Sequence, residues 1–355
     1  MSRRCSLLGR GLVSTLGPDL ASALAALNRP PTQPIRQEVA PGVLVPAFPA
    51  AAPSGPWSER ARAMVLAALQ ESGALGRRDA PLFVASSSVN VGDLEAGAPF
   101  LPDCMDFVEQ VAGWLDWRGP VHWVNTACTS ALVACLSAHR LVSNGEADDA
   151  VVLGLELGNR FTLAGFEGMQ LLDPEAPRPL AVARRGLVIG EAAAVLWLGA
   201  APGRWSLLGG ANRVDGSNPA GASRSAITAM VRQALSVAGL AAHDIDLIKL
   251  QAAGSPQNDS EELAGLGAVF DPLPTVLTLK HRLGHTLGAS GCAELALLTA
   301  SLEAGQWPWA AGLEPDPAFG LPPLHQPPAR ARHLLASILG FGGGHACTLW
   351  QDTAA

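Results

Sequence analysis

Residues 125–136 read NTACTSALVACL, with Cys128 set among small residues. Ahead of it, Val121-His122-Trp123-Val124 is a β-branched and aromatic run that predicts a strand. Behind it, Ala131, Leu132, Cys135 and Leu136 recur at helical spacing. Cys128 is therefore predicted on a tight turn near a helix N-terminus. Free backbone N–H groups and the helix dipole at such a place favour a thiolate, which makes Cys128 a candidate nucleophile. The same residue also reads as a small buried hydrophobe, since cysteine is among the most buried residue types. The local sequence leaves both readings open.

The alternation extends outward in both directions. Before Cys128, strands are predicted at 5–15 and 81–87, and helices at 19–27, 58–72 and 106–115. Residues 29–57, rich in proline and alanine, read as an irregular excursion. After it, strands are predicted at 150–155, 192–198, 204–214, 245–252, 274–280, 333–339 and 346–352. Helices are predicted at 223–238, 259–268 and 288–305, and 158–186 reads as loop-rich. Strands alternating with helices predict α/β layers with largely parallel sheets. GLVIGEAAAVLWLG (186–199) and ILGFGGGHACTLWQ (338–351) each set a glycine-rich turn before a small-residue strand, an echo that suggests duplication.

Composition narrows the function. A chain of 355 residues that is 48% apolar can bury a large core. Charged residues make up 15%, the formal net charge is −7, and lysine occurs only at Lys249 and Lys280. No basic stripe exists to attract a phosphate backbone, which argues against nucleic acid as a partner. So apolar a chain is expected to hide surface in a dimer interface. No stretch approaches the roughly 20 consecutive apolar residues of a membrane helix. The basic start MSRRCSLLGRGLVSTLG is broken by Gly9, Arg10 and Gly11, which suits a signal peptide poorly. The six cysteines form no CxxC pair, so neither a zinc site nor a disulfide framework is expected, and reduced cytoplasm is the expected home. His122, His139, His243, His325, His333 and His345 carry no spacing that suggests metal.

Three strand ends carry residues suited to chemistry. One is Cys128. The second is LQAAGSPQND (250–259), whose turn begins at Gln251; the third is LKHRLGHTLGASG (279–291), with Lys280 and His285. Ligands in α/β sheets gather beyond the carboxyl ends of strands. A thiol, an amide, an imidazole and an ammonium are thus placed to converge.

Five segments, in order, resemble the β-ketoacyl synthases of the thiolase fold. TACTSA (126–131) resembles that family's nucleophile turn, and RPLAVARRGLVIGEAAAVLWL (178–198) its RPFD-to-GEGA segment. AAGSPQNDSEE (252–262), LKHRLGHTLGASG and LGFGGGHA (339–346) resemble its GTGTPLGDPIE, GH-containing and FGFGGTNA segments. The resemblance implies a thiolase-like five-layered α/β/α/β/α sandwich of two duplicated halves. Residues 1–200 would carry Cys128, and 201–355 would carry Gln251, Lys280 and His285.

It also implies acyl transfer to Cys128, then decarboxylative Claisen condensation with a malonyl-type thioester in fatty acid or polyketide assembly. The acyl groups would come from acyl carrier protein or coenzyme A, with no metal or organic cofactor. The family supplies two imidazoles to the enolate; His285 matches one, and Gln251 stands where the other belongs. An amide can still donate a hydrogen bond but cannot act as a base. The departure keeps open a noncatalytic, chain-length-factor-like partner in a ketosynthase heterodimer. Cys128 with His285 and Gln251 would also suit a cysteine thioesterase or hydrolase.

Lys280 matches the family's charge-organising lysine, and Glu191 a mostly structural glutamate. Phe341 matches a residue that gates acyl entry or serves as ordinary core. Gly342 and Gly343, with the Cys128 N–H, are the expected oxyanion hole. His281 reads as a solvated helix-cap histidine. Relatives often run longer before Cys128, which leaves chain-length preference and partner geometry open.

Overall fold

A computed structural model describes residues 3–99, 103–309, 313–322 and 324–355; the first two residues of the basic N-terminal stretch lie outside it. Up to residue 200 the strands are β1 (Ser6–Ser14), β2 (Ile35–Ala40), β3 (Val43–Phe48), β4 (Leu82–Ala85), β5 (Val121–Val124), β6 (Asp149–Glu156), β7 (Ile189–Gly190) and β8 (Ala192–Gly199). Between them lie α1 (Leu20–Leu27), α2 (Trp57–Glu71), α3 (Val91–Glu95), α4 (Cys104–Trp114), α5 (Ser130–Asn144) and α6 (Arg160–Gly168). Beyond residue 200 come β9 (Trp205–Val214), β10 (Leu247–Lys249), β11 (Thr275–Leu277), β12 (His333–Gly340) and β13 (Gly344–Asp352). Their helices are α7 (Arg224–Ala238), α8 (Pro256–Gly267), α9 (Lys280–Leu283) and α10 (Ser290–Glu303).

Ten strands follow one another in the order β11-β10-β12-β13-β9-β1-β8-β6-β4-β5. β9 and β1 pair through Ser206–Ser6 and Trp205–Leu7, a short seam between two five-stranded runs. Counted within its own stretch, each run has the same order: third, second, fourth, fifth, first. Helices α2 and α4 cover the outer face of the first run, and α7, with α8 against it, covers the second. Between the runs lie α5 and α10, which completes the expected five layers.

The residue pattern explains the layering. β6 is buried along its whole length. Val151, Leu153 and Leu155 join the outer core with Met64 and Phe107, while Ala150 and Val152 join the central core with Ala131 and Ala293. A strand covered on both faces needs apolar residues at every position, because successive side chains point to opposite sides. α10 is buried from Ser290 through Ser301 and so, Glu294 apart, is apolar or small all round. A Cβ on Gly291 would stand 2.8 Å from the Leu132 side chain, so glycine lets α10 lie against α5.

The structure corrects four expectations. The sheets are mixed rather than largely parallel: β4 pairs parallel with β5 and β6, and β10 with β11 and β12. β1–β8, β6–β8, β9–β13 and β12–β13 are antiparallel. The chain reverses at the GFGG turn after β12, where Gly342 and Gly343 have φ of 77° and 72°, and a tight hairpin can only give antiparallel neighbours. Residues 29–57 hold the β2–β3 hairpin, turned at Gly42 with φ 76°, and Val39, Val45 and Phe48 pack inward. The loop-rich 158–186 contains α6, capped where the Asn159 side chain accepts the Thr162 N–H at 2.7 Å. His281 is buried rather than solvated, packs on Trp309 with ring centroids 5.0 Å apart, and is pushed down to about 3 by burial.

Candidate active site

Cys128 follows Ala127, whose φ of 53° makes the strand-to-helix turn sharp. Three neighbours pin that turn. The Thr126 N–H donates to the Ser130 hydroxyl at 2.9 Å, which donates to the Ala127 carbonyl at 2.6 Å; Thr129 donates to the Thr126 carbonyl at 2.6 Å. Gly340 backs the turn, since a Cβ there would stand 3.1 Å from the Cys128 nitrogen. Cys128 is 6% exposed, and burial pushes its thiol up to about 11. The Lys280 ammonium and the N–H groups of Phe341 and Cys128 pull the other way. The sequence reading of a helix-favoured thiolate is therefore corrected: desolvation outweighs the dipole, and the resting group is a thiol.

The glycine assignment also shifts by one position. The N–H of Phe341, with that of Cys128, faces the sulfur, while the Gly342 N–H is committed to the Pro219 carbonyl at 2.8 Å. The Gly343 carbonyl accepts the Asp215 N–H at 2.9 Å and stands 2.8 Å from His345 Nδ1. Gly342 and Gly343 shape the turn that delivers Phe341.

His285 and Gln251 arrive from separate segments and meet with Nε2 to Nε2 at 3.2 Å. Both are buried. The Leu287 N–H donates to His285 Nδ1 at 3.2 Å, and the Ser290 hydroxyl lies 3.1 Å from the same nitrogen. An Nδ1 that accepts leaves the imidazole proton on Nε2. Burial and the lysines hold His285 well below its ordinary range, so the ring is neutral. Two N–H donors would then face each other, while the buried Gln251 Oε1 has no partner. Turning the amide by half a revolution would let Oε1 accept from His285 and leave the NH2 as the donor for the cavity that Gln251 lines.

Lys280 is buried and ion-paired to Glu294, whose other oxygen holds Lys249 at 2.6 Å. Glu262 accepts the N–H groups of Gln251 and Ala252 at 2.8 Å each, and burial pushes its carboxyl up to about 7. Glu191 binds Arg60 at 2.6 Å and the N–H groups of Ala50 and Gly158 at 2.8 Å each, a tie between three segments away from the sulfur.

Cys128, Gln251, His285, Glu262 and Phe341 line one small cavity of about 50 Å³. A second, apolar cavity of about 270 Å³ reaches Cys128 from the side of Ser87, Phe161, Met169 and Leu287. Phe341 and Phe166 stack between them, centroids 5.3 Å apart at 14°, and line both. The four expected side chains thus gather at one place, with Lys280 behind the cavity wall.

Sequence reasoning missed Lys249, Glu294 and the Leu287 N–H. The one available signal was a lysine inside the otherwise apolar run LIKL (247–250). Among the described residues, no group of three or more His, Cys, Asp or Glu side chains could hold a metal ion. No described helix is long and apolar enough to cross a membrane.

Two family models match the chain: the β-ketoacyl synthase N-terminal domain over residues 107–201 and its C-terminal domain over 207–314. A Streptomyces cyaneus protein assigned as polyketide β-ketoacyl synthase 1 is 32% identical over 264 residues, 67% of this chain and 62% of that protein. The mitochondrial 3-oxoacyl-[acyl-carrier-protein] synthase of Arabidopsis thaliana is 28% identical over 66% of this chain and 57% of its own length. The matches thus span about six-tenths of these relatives. Among solved structures, the ketosynthase–chain length factor complex of Xenorhabdus doucetiae aligns with a TM-score of 0.84 at 24% identity, covering 99% of this chain and 98% of that one. A β-ketoacyl synthase from Burkholderia phymatum aligns with a TM-score of 0.83 at 21% identity over 99% of this chain and 100% of that one. These likenesses establish the thiolase-like fold.

Proposed function

The chain belongs to the β-ketoacyl synthase family of polyketide and fatty acid synthesis, and we propose that it is a working member whose nucleophile is Cys128. The carrying observation is the convergence of Cys128, Gln251 and His285 on one buried cavity. In the first step the sulfur attacks the carbonyl of an acyl thioester on acyl carrier protein or coenzyme A. The N–H groups of Cys128 and Phe341 hold the developing oxyanion, and the carrier thiol leaves with the thiol proton. A malonyl thioester then enters. Its carboxylate–carbon bond breaks, carbon dioxide departs, and the electron pair becomes an enolate. The Gln251 NH2 donates to the enolate oxygen, with His285 Nε2–H behind it on the amide oxygen. The enolate carbon attacks the Cys128 thioester and expels the sulfur, which takes a proton from water.

Neither side chain need act as a base, so glutamine in place of histidine is compatible with condensation. Phe341 and Phe166 stand where an acyl chain must pass between the cavities, which supports Phe341 as a gate. The division near residue 200, nucleophile on one side and donors on the other, belongs to the same reading. So does a partner chain, identical or ketosynthase-like.

One observation favours the silent-partner reading: Gln251 and His285 can satisfy each other, which would remove the imidazole proton from the substrate. Supplying an acyl-carrier thioester and a malonyl-carrier thioester separates the cases. Condensation releases carbon dioxide and a β-ketoacyl product that Cys128→Ala abolishes. Free acid without carbon dioxide indicates a hydrolase. Neither product, with or without a ketosynthase partner, overturns the proposal.

A further inference from the structure

Lysine occurs twice in the chain, and both ammonium groups are buried against one carboxylate. Lys249 donates to Glu294 Oε2 at 2.6 Å and to the Ser337 carbonyl at 2.9 Å. Lys280 holds Glu294 Oε1. All three side chains are at most 1% exposed. Lys280 alone against Glu294 would be a neutral pair with a short-ranged field. A second ammonium gives the Lys249–Glu294–Lys280 cluster itself one net positive charge, where screening is weak. Burying an ammonium in an apolar strand is costly, and a well-packed Leu or Met would serve the fold better.

Lys249 does not line the cavity, so it can act on the chemistry only through Glu294 and Lys280. We propose that Lys249 is a positioning residue that keeps the Cys128–His285 cavity electropositive. By taking one oxygen of Glu294, it stops that carboxylate from closing both oxygens on Lys280. The Lys280 charge then remains available to the thiolate leaving group and the enolate. Charged groups facing this network are few. Lys280 and Glu156 act on Cys128, Lys280 and Lys249 act on His285, and Glu294, Lys280 and Glu262 act on Lys249. Glu156 opposes Lys280 at the sulfur but is held by Ser87, Ser88 and the Gly288 N–H.

The inference rests on Cys128 as the nucleophile, and alkylation of Cys128 by iodoacetamide tests it without a substrate. Rates are followed by mass spectrometry of the Cys128 peptide as pH is raised. Lys249→Met should move the profile upward, slowing the reaction about tenfold at a fixed pH, which corresponds to one pK unit. Adding Glu294→Gln removes the neutralising carboxylate and should restore the rate. Should Lys249→Met not fold, Glu294→Gln alone carries the test and should speed alkylation. An unchanged profile in Lys249→Met, no recovery in the double variant, or no acceleration in Glu294→Gln overturns the inference. If the lysine effect holds but wild-type Cys128 takes no acyl group from a carrier thioester, the proposed function fails and this inference survives.

Discussion

At the scale of single residues, Gln251 separates a working site from a silent one. With the amide turned so that its carbonyl accepts from His285, the NH2 is left for the cavity, and the two ends of the amide would do different work. Gln251→Glu keeps the shape and can still accept from His285, but it cannot donate to an enolate. Carbon dioxide release from a malonyl thioester should fall about 100-fold, the usual cost of one oxyanion donor. Gln251→His should keep that rate. Equal rates in Gln251→Glu and wild type would show that the amide never touches the enolate. Cys128, Gln251, His285 and Lys280 were legible in the sequence because each stands in a short motif at a strand end. The Lys249–Glu294 pair was not, since it joins a strand to a helix 45 positions away and only packing brings them together. The shift from Gly342 to Phe341 as donor was equally hidden, because the register of a three-residue turn decides which N–H faces the sulfur.

At the scale of elements, the β12–β13 turn and the strand-to-helix turn at Cys128 form one unit. Gly343 has φ 72°, and a Cβ there would fall 1.8 Å from the Asp215 carbonyl oxygen. Gly343→Ala should therefore destabilise the protein by about 2 kcal/mol or more in urea titrations, from left-handed backbone cost and the clash together. Gly340→Ala is gentler, its Cβ 3.1 Å from the Cys128 nitrogen. It should cost little stability yet slow Cys128 alkylation, because it displaces the nucleophile's own backbone. A Gly340→Ala variant that alkylates at the wild-type rate would uncouple the two turns. Helix α7 was legible because its period agrees with its Ser223 and Gly239 caps over 15 residues, and α10 because of its long run of small and apolar residues. The β2–β3 hairpin was obscured by its prolines, with Pro46 lying inside β3. α6 was obscured because Gly165 and Gly168 dilute a nine-residue pattern.

At the scale of the whole molecule, the central layer is dry enough to hold several thiols protonated. Burial pushes Cys5 and Cys347 up to about 12, and Cys128 up to about 11, from 9.0. In the unfolded chain these thiols ionise near pH 9, so there the unfolded state binds fewer protons than the folded state. Stability must then fall as pH rises from about 9 towards 11, by about 1.4 kcal/mol per thiol per pH unit. Lys249, whose proton is loosened by burial, offsets part of that fall. Melting temperature should therefore drop steeply above pH 9, and a flat curve there would mean the thiols are not buried as described. The duplicated strand order was partly legible in the two glycine-turn echoes; the mixed pairing was not, because hairpin connections leave no periodic trace.

Cys128, Gln251 and His285 form one thioester-handling pocket, and intact-protein mass spectrometry after exposure to an acyl carrier protein thioester tests this most directly. The account predicts one acyl adduct per chain, mapped to Cys128 and discharged when a malonyl thioester is added. An unmodified Cys128, or an adduct that malonyl thioester leaves in place with and without a ketosynthase partner, would contradict it.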